Sequence, residues 1–121
     1  MMPTLFPDTE AWAVGYLQPL LAATVGVSDA GSGPRRVLVR RDGGPGESVV
    51  TETVRLSVRC FAESETVAHE LARLAQAHLS ASPGVGPVRR YRLSGGPVFI
   101  PDRTGPCYLL TVELTVRGTD L

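Results

Sequence analysis

The sequence predicts an α+β domain, with two amphipathic helices on one face of a mixed or antiparallel sheet of four strands or slightly more, in the order α-β-β-α-β-β. Three observations carry this. In 50–60, Val50, Val54, Leu56, Val58 and Cys60 alternate with Thr51, Thr53, Arg55, Ser57 and Arg59, the two-residue period of a half-buried antiparallel strand. Directly after it, a turn of about 100° per residue gathers Glu65, His69, Arg73, Gln76 and Ser80 into one polar sector. Val67, Ala68, Leu71, Leu74, Ala75 and Leu79 fill the remainder, so this helix should be mostly covered. A second strict alternation in 108–116 sets Tyr108, Leu110, Val112, Leu114 and Val116 against Leu109, Thr111, Glu113 and Thr115, as expected of a strand in mid-sheet or on a well-covered edge.

The remaining elements follow in chain order. Asp8 or Thr9 can cap a first helix whose Trp12, Ala13, Tyr16, Leu17 and Leu20 share a face, and Pro19 must kink it or close it near Gln18. After a small-residue turn at 28–34, the alternation of Arg36, Leu38 and Arg40 with Val37 and Val39 predicts a strand over 35–41. The Gly-rich segment 42–48 should join it to the next strand as a long, flexible hairpin tip. Ser64 is the expected N-cap of the second helix, Glu65 sits where the helix dipole favours negative charge, and Pro83-Gly84 stop the helix by Ser82. A third strand is expected over 88–93, followed by a flexible loop over 94–106.

At 121 residues and 43% hydrophobic, the chain fits one domain over 1–121 with a short disordered N-terminus, able to bury about two-thirds of its unfolded surface. Twelve basic residues balance twelve acidic ones, so no global positive field marks a dedicated nucleic-acid binder. Every base is arginine, which fits bidentate interface ion pairs but equally fits a GC-rich coding sequence. No apolar run approaches the roughly 18–20 residues of a membrane span, and the start lacks a signal peptide's basic and apolar regions, so synthesis and retention in the cytoplasm are expected.

No residue pattern points to catalysis. Cys60 and Cys107 lack CxxC spacing or histidine neighbours and should be free, buried thiols. His69 and His78, nine residues apart on a helix, face opposite ways and cannot share a metal. Residues 31–33 and 43–46 are turns, lacking the lysine and hydroxyl of a phosphate loop and the setting of a dinucleotide fold, and no GxSxG elbow activates Ser32 or Ser94. Arg89, Arg90 and Arg92 face phosphate, an acidic partner surface, or simply solvent. Val98, Phe99 and Ile100 cannot all point inward from an extended segment, and mark either a partner site or a loop tucked under the domain's own helix.

Taken in order, Trp12, Tyr16-Leu17, Pro19-Leu20-Leu21, the Arg40-Arg41-Asp42-Gly43-Gly44 turn, Leu71-Ala72-Arg73-Leu74-Ala75, and Pro101-Asp102 through Tyr108 to Val116-Arg117-Gly118 resemble the small tail-terminator or tail-completion proteins of long-tailed phages that infect actinobacteria. The resemblance covers nearly the whole chain. It implies a fold similar to the lambda tail terminator, and a ring, usually hexameric, at the head-proximal end of the tail tube that halts polymerisation and meets the head connector. It implies no catalytic residue, metal or cofactor. Partners would be further copies of the chain, the major tail tube protein, the connector, and DNA passing through the lumen without sequence recognition, in a virion tail assembled in the host cytoplasm. Under this resemblance Asp42 and Glu47 at the hairpin tip, and Val98, Phe99, Ile100 and Arg103, become candidate contacts with neighbouring subunits or the tube. Arg89, Arg90 and Arg92 become candidates for the lumen or a charged partner. A head-completion or neck protein shares the same size and ring habit, and a small enzyme or ligand-binding α+β domain is the alternative from another class.

Overall fold

The computed structural model describes residues 3–28, 33–48 and 50–121. Its elements are Thr4–Leu5 (β1), Thr9–Leu17 (α1), Thr24–Gly26 (β2), Arg36–Arg41 (β3), Gly46–Glu47 (β4), Thr51–Phe61 (β5), Glu65–Ser80 (α2), Val88–Ile100 (β6), Cys107–Arg117 (β7) and Thr119–Asp120 (β8). The main sheet runs β2-β3-β5-β7-β6, with β4 against β5 beyond the end of β3. Only β2 and β3 are parallel; the other pairs are antiparallel.

Alternation explains why β5 is central. Its Val54, Leu56 and Val58 pair with Leu114, Val112 and Leu110 of β7, and all six side chains are fully buried on the same side. Val37 and Val39 of β3 join that side opposite Cys60 and Val58. Each such aliphatic side chain contributes roughly 1.5–3 kcal/mol relative to exposure. Both helices pack there, α2 across β5, β6 and β7, and α1 across β2 and β3.

Local chemistry sets the helix ends. The Asp8 carboxylate accepts from Ala11 N at 3.1 Å, and the Ser64 hydroxyl from Val67 N at 3.2 Å, each satisfying an N–H that has no partner within its helix. Past the end of α1, Gln18 donates through Nε2 to Ala23 O (3.0 Å) and accepts through Oε1 from Val25 N (2.9 Å), clamping the connection into β2. The Tyr16 hydroxyl donates to His78 O at 2.6 Å and ties the two helices together. Trp12 stacks on Tyr16 at 4.9 Å and lies over Gly86, where φ is +54° and a Cβ would come within 2.7 Å of the indole nitrogen.

Several expectations change. The architecture is α+β with two helices on one face, but the sheet has six strands, and the short β1, β2, β4 and β8 interrupt the expected element order. Thr4 and Leu5 pair with Asp120 and Thr119, so the expected disordered start does not extend to Thr4; residues 1 and 2 lie outside the described residues. The 42–48 segment is not one hairpin tip: Gly46 and Glu47 regain pairing with Thr53 and Glu52, and Ser48 N donates to Thr51 O at 2.7 Å. Residues 94–100 continue β6 instead of forming a loop, since two register shifts on the edge strand absorb the glycines and Pro97. Leu74 is 43% exposed, so α2 is covered on one side only. The turn expected at 28–34 lies partly outside the described residues, as does Val49.

Candidate interaction surface

Because both helices lie on one side, the other side of the sheet is left uncovered by helices. At one end of it, however, Phe61 and Cys107 are buried where Arg36 lies over the Phe61 ring and donates to Thr104 of the 101–106 connection. Cross-strand register arranges it in rows from β3 through β5 and β7 to β6. At one end stand Arg36, Phe61, Cys107 and Ile100; next to them stand Leu38, Arg59, Leu109 and Val98. Beyond Arg40, Ser57, Thr111 and Gly95, the far end holds Arg55, Glu113 and Arg92, then Thr53, Thr115 and Arg90. One end of the face is therefore aliphatic and aromatic, and the other is threonine- and arginine-rich.

The arginines are held loosely. Arg55 donates to Asp42 O at 3.2 and 2.9 Å and approaches its carboxylate at 3.7 Å. Arg92 reaches Glu113 at 3.5 Å with most of its side chain in solvent. The Arg36 guanidinium lies 4.7 Å from the Phe61 ring centre and donates to Thr104 Oγ1. Arg59, Arg90 and Arg117 are exposed, and their side chains make no hydrogen bond or ion pair among the described residues. Seven arginines thus share this face with one carboxylate, Glu113, and the seventh, Arg40, donates to Val27 O at 3.2 Å and reaches Glu10 at 3.5 Å. Asp42 and Asp102 stand at the rim, where a hydrogen bond from the Thr104 hydroxyl holds the Asp102 carboxyl below its ordinary range.

The helix layer has the opposite sign. Asp8 and Glu10 begin α1, Glu63 and Glu65 bracket the cap of α2, and Glu70 follows one turn on, against Arg35, Arg41 and Arg73. Glu10 is already engaged by Arg40 and the Arg41 N–H, and Arg41 pairs with Glu52. Arg35 meets Glu63 at 2.8 Å and that hydrogen bond lowers the Glu63 carboxyl; Arg73 meets Glu70 at 3.1 Å. Beside these charges runs an open groove of about 370 Å³ lined by Ala22, Val67, Leu71 and Leu74 with Arg35 and Glu70 at its mouth.

The candidate residues distribute unevenly over these faces. Val98 (50% exposed) and Ile100 lie on the open face, beside Leu109 and Cys107, but Phe99 (47% exposed) lies on the helix side. There its ring stands edge-on to Tyr108 at 5.7 Å, and Tyr108 stacks on His69 at 4.8 Å. His69, assigned to a plain polar stripe, thus belongs to an aromatic row. Arg90 and Arg92 share the far end of the open face, whereas Arg89 occupies a register shift and donates back to Gly86 O at 3.2 Å. Asp42 joins that end through Arg55; Glu47 sits apart on β4, and Arg103 lies exposed in the 101–106 connection. Arg36, Arg55 and Arg59, with Leu38 and Leu109, were not expected as site residues. Their signal was the polar side of each alternation, which points to a site only once three strands are aligned.

Cys60 and Cys107 are free, buried thiols on opposite faces of the sheet. Burial pushes Cys60 up to about 12 and Cys107 up to about 11. Among the described residues, no three His, Cys, Asp or Glu side chains converge as a metal site, and no helix is long and apolar enough to cross a membrane.

No family model and no curated protein matches the chain significantly. The surface chemistry therefore stands beside the sequence resemblance alone.

Proposed function

We propose that the chain is a structural virion protein of the tail-terminator type. In this reading it forms a ring, hexameric by the resemblance, that caps the head-proximal end of a tail tube, stops its polymerisation and offers a joint to the head connector. It acts by binding and carries no catalytic step. Its partners are further copies of itself, the tube protein, the connector, and DNA that passes without sequence readout, and it works in a virion tail assembled in the host cytoplasm.

The observation that best supports this reading is the helix-free sheet face, which combines Leu38, Leu109, Val98 and Ile100 with the exposed Arg59, Arg90 and Arg117. Aliphatic residues with arginine, depleted in carboxylates, are the composition of a protein interface. A second patch of different chemistry on the helix layer supplies what a closed cyclic assembly needs, two unlike surfaces on one subunit. The test is light scattering and electron microscopy of the chain alone and mixed with tail tubes. A closed ring at one tube end, with tubes no longer elongating, is the expected result; a chain that stays monomeric and leaves tube growth unchanged overturns the reading.

A further inference from the structure

We infer that the uncovered sheet face docks on the helix layer of a second copy of this chain, head to tail, arginines meeting carboxylates around an aliphatic centre. The inference deepens the ring reading, on which its stoichiometry rests, by naming the contact that would build the ring.

Charge supplies the first argument. A chain of zero net charge has separated its charges by face, arginine on the open sheet and carboxylate on the helices. Two sheet faces brought together would set arginine on arginine, and two helix layers would set glutamate on glutamate. Like charges placed across an interface cost several kcal/mol. Among pairings of these two faces, only the unlike one is complementary, which makes the contact heterologous.

Shape and apolar area agree. Val98 and Leu109 stand side by side on the sheet, with Arg59 next in the row, and the helix layer offers a groove floored by Val67 and Leu71 with Glu70 at its mouth. Three gaps of about 4.8 Å between four strands and four gaps of about 6.7 Å between five rows make a face of roughly 14 by 27 Å, on the order of 400 Å² before side-chain relief is counted. That is about half of the roughly 800 Å² per partner of a standard interface, before the long arginine side chains around it are counted. The free edge of β6 is a poorer alternative, because its register is broken three times and Pro97 has no N–H to offer an added strand.

The lone aliphatic end also separates this partner from a polyanion. Phosphates would use the arginines and leave Leu38, Leu109, Val98 and Ile100 in water.

The test is reciprocal charge reversal. Arg59→Glu with Arg90→Glu puts two carboxylates among the arginines of the sheet face; Glu65→Arg with Glu70→Arg puts two arginines among the carboxylates of the helix layer. All four positions are exposed, so both variants should keep the wild-type circular dichroism and melt within a few degrees of it. Sedimentation velocity at low salt should show self-association weakened at least about tenfold in each variant alone, and recovered when the two are mixed, since both contacts in the mixture pair opposite charges. Self-association unchanged in either variant, or a mixture no better than its components, overturns the contact and leaves the ring reading untouched. Open-ended growth that the substitutions abolish and mixing restores would uphold the contact and overturn the ring. A wild-type chain that stays monomeric while a 20-base-pair DNA duplex binds it, and loses it on Arg59→Glu with Arg90→Glu, assigns the face to nucleic acid and overturns the inference.

Discussion

Truncating Phe99 to alanine should cost about 2 kcal/mol, because the ring belongs to a packed row on the helix side and not to a free loop. A phenylalanine side chain presents roughly 200 Å². With the residue 47% exposed, about half of that is withdrawn from water, which at ~25 cal/mol/Å² is about 2.5 kcal/mol. This is an upper figure, since an unfolded chain already hides part of the area. The edge-on contact with Tyr108 adds about 0.5–1.5 kcal/mol, and the retained Cβ subtracts a little. Unfolding entropy of about 2.1 cal/mol/K per residue over 121 residues converts 2 kcal/mol into a melting temperature lower by about 8 °C. Urea denaturation of Phe99→Ala, Tyr108→Leu and the double variant should give a coupling energy of about 1 kcal/mol between the two rings. Additive losses within about 0.3 kcal/mol, or a Phe99→Ala cost under about 0.5 kcal/mol, would refute the aromatic row.

Other positions make separate demands. Leu56→Ala empties a fully buried site at the centre of β5 and should cost about 3–5 kcal/mol by urea denaturation, several times the loss from Val98→Ala on the open face. Gly86→Ala forces a left-handed conformation worth about 1–2 kcal/mol and pushes against Trp12, so near-ultraviolet circular dichroism of the indole should change along with the melting temperature. The folded state holds both thiols neutral, so above pH 9 the unfolded chain releases protons that the folded chain keeps. Stability should be full below pH 9 and fall as pH rises, by about 1.4 kcal/mol per unit per thiol until the folded values near 11 and 12, with Cys60→Ala removing half the slope in urea melts between pH 9 and 11. Arg90→Gln with Arg92→Gln should leave the monomer within about 0.5 kcal/mol of wild type, because both are exposed charges, while weakening assembly most at low ionic strength.

Sequence by itself determined which side of β3, β5 and β7 faces the core and roughly where the two helices begin and end. Two-residue alternation selected Val54, Leu56, Val58 and Cys60, and Leu110, Val112, Leu114 and Val116, because side-chain direction along an extended chain depends only on parity. Asp8 and Ser64 were legible as caps because a cap bonds within three residues of itself. Tertiary structure decided everything that depends on register between distant strands. It split Val98 and Ile100 from Phe99, gave Phe99 to Tyr108 and His69, and tied Thr4 and Leu5 to the last strand. It also gathered Arg55 and Arg59 from β5 with Arg90 and Arg92 from β6, on a face that no single segment displays. Parity tells which side a residue is on, but the neighbour it meets there is chosen by hydrogen bonds to a strand tens of residues away, and those bonds are the same for every side chain.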